Sequence, residues 1–128
     1  MAGVVLDSSV VIALLTPFDK HHEAVRRVVA ASSERLMIST ITMTEVLVKA
    51  ARISASACRD MAQDLGAQFG DPVELSPQIA VTAAMVRART GLATPDAIIS
   101  ATATVNGAGL WSCDAALAKA HKGARLIA

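Results

Sequence analysis

The first apolar run of the chain, Val4-Val5-Leu6, stops on an acid, Asp7, and two hydroxyls, Ser8-Ser9, before apolar residues resume from Val10 to Leu15. A short buried strand ending at Asp7, followed by a helix starting near Ser8 or Ser9 and stopping near Thr16-Pro17, accounts for that pattern. Asp19 is placed to cap a second helix, with Ala24, Val25, Val28 and Val29 on one face and Arg26 and Arg27 on another. Leu36 to Ser39 has the short apolar character of a buried parallel strand, and Thr40 to Arg52 that of a third helix. Ser54 opens a fourth helix, Ala55 to Phe69, ended by Gly70, and Val73 to Leu75 forms a weak strand. Ser76-Pro77 starts a fifth helix closed by Gly91. The same device, with Thr94 as cap, Pro95 at the first helical position and Asp96 at the second, starts a sixth that runs to Asn106-Gly107. Leu110 to Ser112 is a further strand, Asp114 begins a short helix, and Arg125 to Ile127 closes the chain as a possible strand.

Strands that alternate with helices imply a parallel sheet covered on both faces. The prediction is therefore one α/β domain spanning residues 1–128, in three α/β/α layers, with a central, mostly parallel sheet of four to five strands. In such a sheet the loops that follow the strands gather on one edge, and ligand crevices lie there.

Composition narrows the function. At 128 residues the chain supports one hydrophobic core. Its 53% hydrophobic content and mean hydropathy of +0.48 leave apolar surface for a partner or a second copy. A net charge of +1 rules out a protein that coats nucleic acid by bulk charge, so any such contact must be local. The two cysteines, Cys58 and Cys113, have no metal-ligand spacing and suit a reducing cytoplasm. The amino end carries no basic region, and Asp7 interrupts its apolar stretch, so neither a secretory signal nor a membrane span is expected.

Four acids fall where one edge site would need them. Asp7 ends the first strand, Asp114 follows the strand at 110–112, and Glu45 and Asp96 lie in the first turns of helices. Carboxylates crowded together repel one another unless divalent cations neutralise them, and Mg²⁺ and Mn²⁺ favour such oxygen ligands. Each acid also has a plainer role. Asp7 and Asp114 suit helix caps, Glu45 completes a Thr42-x-x-Glu45 capping box, and Asp96 complements a helix dipole. Ser9 and Ser112 are hydroxyls able to orient a carboxylate or a metal-bound water, whereas Ser8 reads as a turn or cap hydroxyl. Lys49, Arg87 and Arg89 are candidate phosphate contacts, although each also suits a solvated helix face. His21, His22 and His121 read as surface residues, and Cys113 lacks a base at nucleophile-like spacing.

At these residues the chain resembles the PIN-domain family, most of all the VapC-type ribonuclease toxins of VapBC toxin–antitoxin pairs. The resemblance rests on Val5 to Ser9, Ser39 through Thr44-Glu45-Val46, Pro95 to Ala103, and Leu110 to Asp114. It implies metal-dependent hydrolysis of RNA phosphodiester bonds by a metal-activated water. The metal is Mg²⁺ or Mn²⁺, and the family's four acids fall on Asp7, Glu45, Asp96 and Asp114. It also implies a small cognate antitoxin, whose binding would lay an apolar segment on the surface. Ser9 matches the hydroxyl after the first acid, and Ser112 stands where Thr is usual. Cys113 and Leu117 depart from the pattern in the last loop. Two other readings stay open. One is the same fold acting as an antitoxin-binding module with little or no nuclease activity. The other is an Asp-based phosphohydrolase or receiver domain; Ser9 occupies the position where the phosphohydrolase needs a second acid.

Overall fold

The computed structural model describes residues 3–128, which fold around four strands: β1 (Val4–Leu6), β2 (Leu36–Met37), β3 (Gly109–Ser112) and β4 (Arg125–Leu126). All pair in parallel, in the order β2-β1-β3-β4. The register sets Val4 opposite Leu36 on one side and Gly109 on the other, and sets Leu6 opposite Trp111. The stretch at 73–75, predicted as a strand, contributes a single parallel bridge between Val73 and Ser39. Its flanking residues Asp71, Glu74 and Leu75 are exposed, so burial does not extend the pairing.

Period-two alternation sorts the strand side chains into two cores. Val4, Leu6, Ile38 and Trp111 face one side; Val5, Met37 and Leu110 face the other. The first side is covered by helices α1 (Ser8–Leu15), α2 (His22–Ala31), α3 (Thr40–Ile53) and α4 (Ala55–Phe69) through Val10, Val25, Val46 and Leu65. The second is covered by α5 (Pro77–Thr90), α6 (Thr94–Val105) and α7 (Ala115–Ala120) through Ile79, Val86, Ile99 and Leu117. The chain leaves β1 toward β2 on one side and returns to β3 on the other. The strand order therefore reverses between β1 and β3, and the crevice of an open α/β sheet lies outside the carboxyl ends of those two strands.

The helix boundaries follow from their caps. Ser39, Ser54 and Ser76 each accept a backbone N–H in the first turn of α3, α4 and α5, and Pro77 starts α5 as predicted. Two caps differ from prediction. α2 begins two residues later than an Asp19 cap would require, because the Asp19 carboxylate accepts the His21 N–H at 2.8 Å and closes the preceding turn instead. In α6 the cap position is Ala93, so Thr94, Pro95 and Asp96 occupy the first three helical positions; the Ala93 carbonyl accepts the first helical N–H, from Ala97. Asp96 stays in the first turn, where its charge complements the helix dipole.

Glycine decides one close approach and one left-handed helix end. At Gly3, φ is +101° and a Cβ would lie 2.5 Å from the Arg35 carbonyl oxygen, which accepts the Val4 N–H at the start of β1. Gly91 ends α5 in the left-handed region, with open space around it. Gly66 is in the interior of α4, also in open space. Substitution to alanine should therefore grade in urea unfolding. Gly3→Ala should cost about 3 kcal/mol and Gly91→Ala about 1 kcal/mol, while Gly66→Ala should gain about 0.5–1 kcal/mol. Equal effects at Gly3 and Gly91 would contradict the close approach to Arg35.

Candidate acidic site

The site forms where β1 and β3 end. Asp7 directly follows β1, and its backbone N–H still donates to the Trp111 carbonyl at 3.2 Å, so it remains tied to the sheet. Its side chain is 3% exposed and all its bonds are to hydroxyls and an amide. Ser9 Oγ and the Val10 N–H donate to Oδ1 at 2.6 and 3.0 Å, and Ser112 Oγ donates to Oδ2 at 2.5 Å. Each serine is itself held from the opposite strand end or the following loop. Ser9 accepts the Cys113 N–H at 2.9 Å, and Ser112 accepts the Asp114 N–H at 2.9 Å. A chain of short bonds thus links the end of β1 to the loop after β3. The capping role suggested for Asp7 is real, since Oδ1 closes the first turn of α1, but capping does not explain the burial.

The other three acids arrive from separate elements. Glu45 is not part of a capping box: α3 is capped by Ser39, Thr42 is fully buried, and Glu45 lies in the second turn. Its carboxylate accepts instead from Ser8 Oγ at 2.5 Å, across 37 residues of sequence. Ser8, read as a turn hydroxyl, therefore joins α1 to α3. Nothing local in the sequence could signal that pairing. Asp114 caps α7 with Oδ1, which accepts from Ala116 and Leu117, and no protein group occupies Oδ2. Asp96 has no hydrogen-bond partner among the described residues.

Charge ties the four together. Burial raises the pKa of Asp7, partly offset by Ser112, Ser9 and Val10, and the charge of Asp114 raises it further. Burial also raises Asp96, and Asp114, Asp7 and Glu45 each add to the effect. Asp96 thus feels all three of the other carboxylates. The one ion pair among the described residues is Arg26–Glu23 on exposed α2, so no Lys or Arg neutralises the group. The donor chemistry, four carboxylates with no thiolate and no imidazole, fits a hard divalent cation. Among the described residues, however, no three acids are drawn close enough to form a finished cage. Glu45 and Asp114 hold hydrogen bonds of their own instead.

The remaining candidates separate. Arg87 donates to the Leu92 carbonyl at 2.6 Å and fastens the α5–α6 turn, so it is not a free phosphate contact in this conformation. Arg89 is exposed and unpaired on the last turn of α5. Lys49 lines a groove with Glu45 and the apolar Ile12, Leu15, Phe18 and Ile53. Two histidines read as surface residues are half-buried. His22 Nδ1 is 2.8 Å from the Ala13 carbonyl, and His121 Nδ1 is 2.7 Å from Ser100 Oγ. Burial lowers the pKa of His121. Burial also pushes the Cys113 thiol up to about 11, which keeps it protonated and weakly nucleophilic at neutral pH.

The PIN-domain family model matches residues 4–123. Solved structures share the fold at low identity. FitAcB from Neisseria gonorrhoeae is 20% identical, covering 96% of each chain with a TM-score of 0.77. A toxin–antitoxin complex from Klebsiella pneumoniae is 24% identical, covering 87% of this chain and 86% of that one, with a TM-score of 0.72. VapC20 from Mycobacterium tuberculosis, described as a sarcin–ricin loop cleaving toxin, is 18% identical, covering 91% and 94%, with a TM-score of 0.76. None of the curated proteins matches the chain.

A buried carboxyl with a raised pKa has a definite effect on stability. The ionised form is penalised in the folded protein, so the penalty is complete above the raised folded value. It shrinks as pH falls from there and is gone below the unfolded value of about 4. In cation-free buffer, Asp7→Asn should therefore melt above the wild type at pH 7, and the gap should close toward pH 4. Equal melting temperatures at pH 7, or a gap that widens in acid, would count against this account.

Proposed function

The chain belongs to the PIN-domain family, and on that premise we propose that it is a cation-dependent endoribonuclease toxin restrained by a small cognate antitoxin. The observation that carries the reading is the unneutralised acid group. Asp96 is raised by three other carboxylates, no basic side chain pairs with them among the described residues, and three of the four, Glu45, Asp96 and Asp114, have an oxygen to spare. Asp7, Asp96 and Glu45 would hold Mg²⁺ or Mn²⁺, with Asp114 joining directly or through water. Such a cation lowers the pKa of a bound water and stabilises charge on phosphate oxygens.

The chain's own residues have separable tasks. Ser9, Ser112 and the Val10 N–H fix both oxygens of Asp7, so that carboxylate presents a preset direction. Ser8 holds Glu45 on the α1 side of the crevice. Asp114, locked as the α7 cap through one oxygen, offers the other. No side chain is needed as a nucleophile, and the protonated Cys113 is unsuited to be one. RNA as substrate is supported by the likeness to VapC20, the sarcin–ricin loop cleaving toxin, and by the toxin–antitoxin complexes that share this fold.

The groove beside Glu45 supports the antitoxin. It has a volume of about 490 Å³, its lining is largely apolar, and Phe18 at its rim is 98% exposed. A partner's apolar segment laid there would end beside the acids, where an arginine would find carboxylates. A homodimer is supported by Val81, a large apolar residue exposed on α5. Among the described residues no helix is long and apolar enough to cross a membrane, and a cytoplasmic location suits such a toxin. The same groove favours a second reading, an antitoxin-binding module with little cleavage of its own.

Cleavage of a defined RNA by the purified protein distinguishes the two. The first reading expects activity with Mg²⁺ or Mn²⁺ that is lost in EDTA. Asp7→Asn and Asp96→Asn should each lower the rate at least about 100-fold, and Ser112→Ala about 10–100-fold through misdirection of Asp7. A folded Asp7→Asn protein that cuts at the wild-type rate would exclude it. No cleavage by the wild type alongside tight antitoxin binding would favour the module.

A further inference from the structure

A second cleft, of about 510 Å³, lies between α5, α6 and α7 on the face of the sheet away from the apolar groove. Its cationic lining is Arg89 and Lys122, neither of which has an acid partner, and no acid contributes to its walls. The Thr82 hydroxyl adds a polar group, those of Ser100 and Thr104 being bonded to His121 and the Ser100 carbonyl, and Met85 with Val86 forms an apolar wall. His121, bonded to Ser100 through Nδ1, has no protein partner for Nε2. No buried polar atom among the described residues goes unpaired, so that nitrogen reaches solvent.

The cleft and the acidic site share two helices, α6 and α7. Asp96, Ser100 and Thr104 follow at four-residue intervals on α6 and so stack along one side of the helix, with about 6 Å of rise per step. The first is a candidate metal ligand and the other two line the cleft. α7 repeats this arrangement, with Asp114 capping its start and His121 and Lys122 at its end. Along these two helices the acids stand at the start and residues lining the cleft, Lys122 among them, stand further along. That arrangement suits a polyanion, one of whose phosphates sits among the acids with a cation while its neighbours meet Arg89 and Lys122.

Resting on the ribonuclease reading above, we infer that the α5–α6–α7 cleft binds the phosphodiester backbone of the RNA segment flanking the cleaved bond, with Arg89 and Lys122 as its phosphate contacts. Met85 and Val86 offer the sugars and bases an apolar wall that carries no sequence code. Backbone contacts of this kind position a strand without selecting its sequence. The net charge of +1 is compatible with this, because the attraction is local.

The test is the salt dependence of binding of a fluorescent single-stranded RNA to the Asp7→Asn protein, compared with the same protein carrying Arg89→Ala and Lys122→Ala. Loss of two phosphate contacts should lower the slope of log affinity against log salt by about 1.4 and weaken binding about tenfold at low salt. Arg89→Lys with Lys122→Arg should restore both, which a merely structural role would not predict. Arg59→Ala, on α4 outside the cleft, should leave the slope unchanged. An unaltered slope in the alanine pair overturns the inference, including the case where only self-association changes in sedimentation. If the wild type still cleaves RNA in that event, the ribonuclease reading stands without it. Failure of the parent to bind RNA, with no cleavage by the wild type, removes the reading and the inference together.

Discussion

A carboxylate is held at 3% exposure at the end of a central strand, and the site is arranged around keeping it there. Burying Asp7 costs free energy that three hydrogen bonds offset only in part, as its raised pKa records. The bonds come from both strand ends at the switch point, so β1 and the loop after β3 cannot shift independently without leaving an oxygen unpaired. A stability-driven choice at that position would be an amide or an apolar residue. The position is nonetheless an acid, the charge of Asp114 raises it further, and no Lys or Arg pairs with it among the described residues, a combination that clusters at functional sites.

Much of this was legible in the residues. Alternating apolar runs and helix signals carried the parallel sheet, and Ser54, Ser76, Pro77, Gly70 and Gly91 marked helix ends where they occur. Placing Asp7, Glu45, Asp96 and Asp114 each after a strand or at a helix start anticipated the charge that the other three exert on Asp96. The plain explanations divided: capping holds for one oxygen of Asp7 and one of Asp114 and fails for Glu45, while Asp96 does lie in the first turn of α6, where its charge complements the helix dipole.

What stayed hidden has a common physical cause. Ser8 with Glu45, Ser100 with His121 and His22 with Ala13 are pairings set by tertiary packing, with no local pattern to signal them. Arg87 and Arg89 are two residues apart on one helix, yet one closes a turn and the other faces a cleft. Helix phase decides between them, and a shift of one position alters the outcome. The same sensitivity moved the α6 cap from Thr94 to Ala93. The strand expected at 73–75 fell short because β propensity extends a ladder only where burial supports it, and its outer residues are exposed.

The central claim is that the four acids form one cation site, and calorimetric titration of the metal-free protein with Mn²⁺ tests it most directly. The account predicts saturable binding at neutral pH, accompanied by proton release that grows as pH falls toward the raised carboxyl values, and lost in both Asp7→Asn and Asp96→Asn. Saturable binding that survives both substitutions, or no binding by the folded wild type, would contradict it.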